Sequence, residues 1–179
     1  MTKLKILAMV GGISKDSINR QLCEFFKAQA KDRMECDCFD VSSLPFFSQD
    51  IEYDPPESVS ALKSRISWSD GVLFVTPEYN RSFPGVLKNA IDWGSRPWGQ
   101  NSWEGKPAGI LGASIGAIGT FGAQNHLRQV LSQLDMPTMN QPAFYFKFPE
   151  NIGDGLDDTS RNFLETFIVQ FEKWVTKYK

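Results

Sequence analysis

The chain has 179 residues, of which 41% are hydrophobic and 22% are charged, a composition typical of globular proteins. Its length suits one domain whose core needs no disulfide, so we expect residues 1–179 to form a single domain. The net charge of −2 offers no basic surface for nucleic acid or an anionic membrane, and no apolar run approaches the roughly 18 residues of a membrane span. We therefore expect a cytoplasmic protein that binds neither nucleic acid nor a membrane.

The cysteine content argues against a disulfide framework. Cys23, Cys36 and Cys38 form an odd set without paired spacing, which fits a reducing compartment. On a strand, Cys36 and Cys38 would share one face, where a buried cysteine behaves as a small hydrophobic residue. We expect no metal or redox role for these two thiols, and no metal at His126, the single histidine of the chain.

Hydrophobic periodicity predicts five strands that alternate with five helices. The predicted strands are residues 3–10, 34–40, 72–75, 109–113 and, for the fifth, either 138–139 or 144–148. The predicted helices are residues 17–31, 57–67, a stretch after Pro84, 120–134, and a final one that follows a polar turn at 151–158 and ends near residue 178. The inward face of the final helix is predicted to include Phe163, Phe167, Phe171 and Trp174.

This alternation predicts an α/β fold with one doubly wound parallel sheet. Residues 72–75 form a continuous apolar run, typical of a parallel strand buried on both faces, whereas the weaker alternation of 34–40 favours a sheet edge. Right-handed crossovers place helices on both faces, and 2-1-3-4-5 is the usual order for five such strands. The switch point of that order lies between the first and third strands, where open α/β sheets bind their ligands.

Residues 11–19, the first loop, form a Gly/Ser turn that runs into a helix. Small residues such as Gly12 let the backbone approach an anion, and Ser14, Ser17 and Asn19 add hydroxyl and amide donors beside the helix N-terminus. The loop lacks both the P-loop and the dinucleotide fingerprints, so we expect neither a nucleotide triphosphatase nor a dinucleotide-binding motif. An ordinary capped helix start, with Ser17 or Asp16 as the cap, is the alternative interpretation.

Residues 76–84, the second loop, follow the third predicted strand and place Pro77, Glu78, Tyr79 and Asn80 at the same crevice. Tyr79 offers an aromatic face and Asn80 offers hydrogen bonds to a ring edge. The alternative is a polar turn in which Asn80 only holds the chain reversal.

Residues 114–119, the third loop, are glycine-rich, which suits close approach of the backbone to a planar ring at Ser114 and Gly116. A flexible connection is the alternative for this loop. Taken together, the three loops predict a site for a flat ligand that carries a phosphate.

The residue types do not favour a hydrolase or a metal enzyme. No serine lies in a G-x-S-x-G elbow, and no carboxylate pair or His/Cys cluster has metal-ligand spacing. Because no protein nucleophile is evident, we expect a bound cofactor to carry the chemistry.

Residues 77–80 and 84–93, read as PEYN and PGVLKNAIDW, resemble the NADPH-dependent FMN reductase family, and most closely its quinone and chromate reductase branch. Residues 11–19 are similar to the family's G-S-L-R-x-x-S-x-N phosphate loop, and residues 114–119 and 123–128 are similar to its third loop and following helix. The resemblance implies a flavodoxin-like fold, non-covalent FMN, NADPH or NADH as donor, and a homodimer or homotetramer. It implies that Ser17, Ile18 and Asn19 bind the flavin phosphate, and that Pro77, Glu78, Tyr79, Asn80 and Ser114 line the ring.

The implied activity is electron transfer from NAD(P)H through FMN to small acceptors: quinones or, in some members, chromate, azo compounds or free flavin. Nicotinamide and acceptor are expected to occupy the same place in turn, with aromatic residues of a partner subunit, from the Trp98/Trp103 loop, covering the pocket. A flavodoxin-type electron carrier without nicotinamide turnover and a flavin-free binding module remain as alternatives.

Two positions depart from the family's phosphate loop. Gly12 stands where the family has serine, and Ser14 stands where it has arginine. A charge-assisted hydrogen bond contributes about 1.5–3 kcal/mol, so its loss predicts FMN binding that is roughly ten- to a hundred-fold weaker unless Lys15 or Arg81 supplies the charge.

Overall fold

The computed structural model describes residues 2–148 and 155–179. Its strands are β1 (Leu4–Val10), β2 (Met34–Phe39), β3 (Gly71–Val75), β4 (Ala108–Ser114) and β5 (Phe144–Lys147). Its helices are α1 (Ile18–Ala30), α2 (Glu57–Trp68), α3 (Gly85–Gly94), α4 (Phe121–Gln133) and α5 (Asp158–Tyr178), with short 3₁₀ turns at Val41–Ser43 and Gln49–Ile51. The predicted alternation is confirmed; of the polar turn predicted at 151–158, residues 151–154 lie outside the described ranges.

The five strands form one parallel sheet in the order β2-β1-β3-β4-β5, which confirms the predicted flavodoxin-like, three-layer α/β fold. The strand β2 lies at an edge, as its weak alternation indicated. The carboxyl ends of β1 and β3 are neighbours, since Val10 pairs with Val75, and the three loops therefore start from adjacent strands.

Successive side chains of each strand enter opposite layers of the core, because strand side chains alternate in direction. Leu7 and Met9 pack in the cluster beneath α2, α3 and α4, whereas Ile6 and Ala8 pack in the cluster beneath α1 and α5. All five residues of β3 are buried. The two apolar layers hold the sheet rigid and leave its carboxyl edge open for the loops.

Of the two segments predicted as alternatives for the fifth strand, the one at 144–148 forms it, and the one at 138–139 contributes only an isolated bridge. Residues Phe144–Lys147 pair with the second half of β4, and Thr138 makes an isolated parallel bridge to Ala108 at its first residue. Both segments lie beside the seven residues of β4, one near each end.

The inward face predicted for α5 was wrong in part. Phe163 is exposed at its surface, and Leu164 takes the buried position one residue later. The buried set is Leu164, Phe167, Ile168, Phe171 and Val175.

Candidate functional site

The three loops line an open cavity of about 300 Å³ at the carboxyl edge of β1, β3 and β4, close to the lower end of the usual range for ligand pockets. Its lining contains every predicted site residue except Asn80 and Gly116. The lining residues are Gly12, Ser14, Asp16, Ser17, Ile18, Asn19, Pro77, Glu78, Tyr79, Ala113, Ser114 and Ile115. Asp16, Ala113 and Ile115 were missed as lining residues, although each is adjacent in sequence to a predicted residue.

Helix α1 presents open backbone donors to this cavity. Ser17 is its N-cap and accepts a 3.3 Å hydrogen bond from the Arg20 amide through Oγ, while its carbonyl accepts from Gln21 at 3.1 Å. The amides of Ile18 and Asn19 donate to no group within the residues that the structure describes. Because a helix N-terminus carries partial positive charge, these two N–H groups suit an anionic ligand.

The side chain of Asn19 is occupied in a different way. It is 1% exposed, and its amide exchanges two hydrogen bonds with the backbone of Ala113: Nδ2 donates to the carbonyl at 2.9 Å, and Oδ1 accepts from the N–H at 2.9 Å. This pair joins the start of α1 to the end of β4. The phosphate role that the resemblance implied for Asn19 stays a prediction, and its unpaired backbone N–H is the group available for it.

The second loop is a tight reversal with fixed shape. Tyr79 and Ser82 exchange backbone hydrogen bonds of 2.8 and 3.0 Å, and both residues between them, Asn80 and Arg81, have positive φ, at 51° and 65°. Asparagine tolerates this conformation better than most residues. Asn80 thus holds the reversal and does not line the cavity; its contact with a flavin stays a prediction.

Glu78 fastens this reversal to α4. Its Oε2 accepts a 3.0 Å hydrogen bond from the Ala123 amide, and Oε1 lies 3.1 Å from the Arg81 guanidinium. Thr120, the N-cap of α4, makes no side-chain cap, so the carboxylate of Glu78 caps this helix from another loop. The glutamate side chain is only 9% exposed.

Two exposed side chains with apolar surface line the cavity. Tyr79 of the second loop is 55% exposed and Ile115 of the third loop is 78% exposed, and together they form an apolar rim. Ser114 holds the third loop in place, since its Oγ donates to the carbonyls of Gly116 and Gly119 within 3.0 Å. Polar donors below and an apolar rim above suit an amphipathic ligand with an anionic end and a flat apolar end.

Trp103 cannot cover the pocket of a partner subunit, and this part of the prediction was wrong. It is fully buried, and its Nε1 donates to the Ile91 carbonyl at 2.9 Å within its own core. Trp98 is 86% exposed and stays available for the predicted role.

Residues 2–148 and 155–179 contain no group of three or more His, Cys, Asp or Glu side chains placed to hold a metal ion. His126 instead shares a 2.8 Å hydrogen bond with Ser82 of the second loop through Nδ1. Within the same residues, no helix has both the length and the apolar character needed to cross a membrane.

A parallel sheet of order 2-1-3-4-5 with a cavity at its switch point is the architecture of the flavodoxin-like class of protein, and flavodoxin binds FMN at that place. The model of the NADPH-dependent FMN reductase family matches residues 4–150. The chain belongs to this family; it is an FMN-dependent oxidoreductase with NAD(P)H as donor. The open amides, the serine hydroxyls and the apolar rim all fit FMN.

Individual relatives cover nearly the whole chain. It is 48% identical to a 2-hydroxy-1,4-benzoquinone reductase of a Burkholderia species, over 96% of both chains. It is 42% identical to a quinone reductase of Pseudomonas putida, over 95% of this chain and 94% of that one. Among solved structures, the flavoenzyme NAD(P)H:(acceptor) oxidoreductase FerB of Paracoccus denitrificans matches with a TM-score of 0.94 and 41% identity, over 98% of each chain.

Proposed function

We propose that this protein reduces quinones, with NAD(P)H as electron donor and FMN held between the three loops. The observation that carries the proposal is the cavity at the switch point, with open α1 amides on its wall and apolar side chains at its mouth. The names of the relatives, a benzoquinone reductase and a quinone reductase, support the acceptor class.

We assign the phosphate to the start of α1. The backbone N–H groups of Ile18 and Asn19 and the hydroxyl groups of Ser14 and Ser17 are its ligands, with Gly12 allowing the close approach. We assign the ring to Pro77, Glu78, Tyr79 and Ser114, with the Asn80 and Gly116 contacts that the resemblance implies retained as secondary ones. Bound FMN supplies hydride acceptance from NAD(P)H and electron delivery to the acceptor.

The chain's own residues position the reactants and exclude water. Tyr79 and Ile115 offer apolar surface against which the ring of a nicotinamide or a quinone can lie. Glu78 and Asn19 keep the loops at a fixed separation through their bonds to Ala123 and Ala113. No side chain is assigned as acid or base, because positioning and the cofactor account for the reaction.

We also infer a homodimer or homotetramer in the cytoplasm. The exposed Trp98 and the half-exposed Phe121 supply apolar surface of the kind that subunit interfaces bury. The three free thiols fit a reducing compartment. Sedimentation of the FMN-loaded protein should give the mass of two or four chains, and a monomer would contradict the inference.

The experiment is an absorption spectrum of the purified, FMN-loaded protein before and after anaerobic addition of NADPH or NADH, followed by the acceptor. We expect the oxidised flavin bands to bleach and then to return on addition of a benzoquinone. Bands that persist with both nucleotides would indicate an electron carrier and overturn the proposal. Return of the bands with chromate, an azo compound or free flavin, but not with a quinone, would overturn the acceptor class.

A matched pair of tyrosines tests the place of reaction. Tyr79 lines the cavity, whereas Tyr53 is also exposed but lies outside the lining. Tyr79→Ala should lower kcat/KM for the quinone by roughly threefold to tenfold, the range expected for loss of one aromatic packing partner. Tyr53→Ala should leave kcat/KM unchanged, and equal losses in both variants would contradict the assignment.

A further inference from the structure

Two cysteine thiols meet across α1 and β2, and neither lines the proposed flavin cavity. Cys23 lies on α1 and is fully buried, whereas Cys38 lies near the end of β2 and is exposed. Their Sγ atoms are 3.7 Å apart and share a hydrogen bond. The sequence offered no sign of this pair, because the two residues are 15 positions apart and lie on different elements.

The pair lies beside a second cavity, of about 290 Å³, whose lining includes both cysteines, and the exposed Cys38 is the one that a small solute can reach. Its charged groups are Arg20, Glu24 and Asp40. The remaining lining is mostly apolar, with Ile13 of the first loop at one side.

The two thiols differ in acidity. A thiolate at Cys38 accepts the hydrogen bond of the Cys23 thiol, and this bond, together with the positive charge of Lys27, lowers the pKa of Cys38 below that of a free thiol. Burial and the charges of Glu24 and Asp37 oppose this lowering of the pKa. The same hydrogen bond and burial raise the pKa of Cys23. Cys36, the third thiol, has its pKa raised to about 12, chiefly by burial. Since the thiolate is the nucleophile, Cys38 is the thiol prepared to react.

We propose that Cys38 and Cys23 form a dithiol pair that hydrogen peroxide oxidises to an intramolecular disulfide. The Cys38 thiolate attacks one peroxide oxygen; the O–O bond breaks, and the departing hydroxide takes a proton and leaves as water, which gives a sulfenic acid. The Cys23 sulfur then attacks the Cys38 sulfur, and the sulfenic hydroxyl leaves as a second water with the Cys23 proton. Two thiols are oxidised by two electrons, and one peroxide is reduced to two waters.

The second step needs only a short approach of the two sulfur atoms. A disulfide holds its sulfur atoms about 2.04 Å apart, so the two Sγ atoms must approach by roughly 1.7 Å. Oxidation also removes the negative charge on Cys38, which is one of the causes that raise the pKa of Cys23; burial, another cause, remains.

The test treats the FMN-loaded protein with hydrogen peroxide in slight excess and counts free thiols after denaturation, with mass analysis of unreduced peptides. We expect two of the three thiols to disappear, the mass to fall by two hydrogen atoms, and one peptide pair to contain Cys23 joined to Cys38. Dithiothreitol should restore all three thiols. The matched control is Cys36→Ser, which should lose both of its remaining thiols at the same rate.

Cys38→Ser should keep both of its remaining thiols, and because Cys38 is exposed this variant is expected to fold. A gain of one or two oxygen atoms at Cys38 without a disulfide, a bond that includes Cys36, or a bond between two chains would each overturn the proposal. The readout is independent of quinone turnover, so failure of one proposal does not decide the other.

Discussion

The first and second loops lie on adjacent strands and line the same cavity, yet they are built in opposite ways. The second loop uses its polar groups internally: Tyr79 pairs with Ser82, and Glu78 is bonded to both Arg81 and Ala123. The first loop leaves its groups open, since the amides of Ile18 and Asn19 have no acceptor within the described residues. The second loop, which its own hydrogen bonds hold in place, suits contact with a rigid ring. The first loop, whose N–H groups are unpaired, suits an anion that accepts their hydrogen bonds.

Asn19 joins the first loop to β4 through its buried side chain, while the Gly11 amide joins the start of the loop to the Val75 carbonyl of β3 at 2.9 Å. Asn19→Ala would leave the N–H and the carbonyl of Ala113 buried and unpaired, so we expect the free energy of unfolding to fall by about 3 kcal/mol. Urea denaturation of the FMN-free protein measures this difference directly. Asn162→Ala, at an exposed position on α5, is the matched control and should change stability by under about 0.5 kcal/mol. Equal effects would show that the Ala113 contact does not anchor the loop.

A positive charge added beside the unpaired N–H groups of the first loop should strengthen the binding of the FMN phosphate. Ser14 lines the cavity and stands where the resembling family has arginine, so Ser14→Arg should tighten FMN binding by roughly ten- to a hundred-fold, or about 1.5–3 kcal/mol. Titration of the apoprotein with FMN measures the dissociation constant of each variant. Ser60→Arg adds the same charge at an exposed position on α2, outside the cavity lining, and should leave the affinity unchanged. An affinity for FMN that is equal in wild type and Ser14→Arg would rule out a missing guanidinium contact.

The hydrogen bond that joins the second loop to α4 can be removed by substitution of Glu78. Glu78→Ala removes the acceptor of the Ala123 amide and the cap of α4, and we expect a loss of about 2 kcal/mol in unfolding free energy. Glu78→Gln keeps an acceptor oxygen and loses only the ion pair with Arg81, which is 75% exposed and contributes little. In thermal and urea unfolding, the stability of Glu78→Gln should therefore be close to that of wild type, and the stability of Glu78→Ala should be well below it. The reverse ranking would mean that the charge, rather than the cap, holds the loop.

Strand order and the positions of the three loops were predictable because local patterns determine them. The apolar run of β3, the weak alternation of β2 and the Gly/Ser turns are each visible within a few residues of sequence. The carboxyl ends of parallel strands lie at one edge of the sheet, and for this reason the three loops were predicted to lie close together. Nearly all of the predicted site residues line the cavity for this reason.

The contacts that brace the site were not predictable from such patterns. Asn19 meets Ala113 across 94 positions, and Glu78 meets Ala123 across 45. Both contacts depend on how each helix is rotated against the sheet, which periodicity fixes only loosely. The same ambiguity explains Phe163, since both Phe163 and Leu164 lie at helical spacing from Phe167, and only packing selects Leu164.

The smallest expected effect concerns the point where the first loop meets its helix cap. A Cβ atom on Gly12 would lie 2.2 Å from the Oγ of Ser17, so Gly12→Ser, the residue found in the resembling family, must turn that hydroxyl away from the Arg20 amide. Loss of an N-cap typically costs about 1 kcal/mol, and urea denaturation should show a decrease of that size. Ser17→Ala supplies the control, because it removes both the cap and the 2.2 Å contact and leaves only the 3.3 Å contact with the Cβ atom of residue 17 and the 3.5 Å contact with that of Asn19. In that background Gly12→Ser should cost little, and an equal cost in both backgrounds would show that the side chain at position 12 acts on something other than the cap.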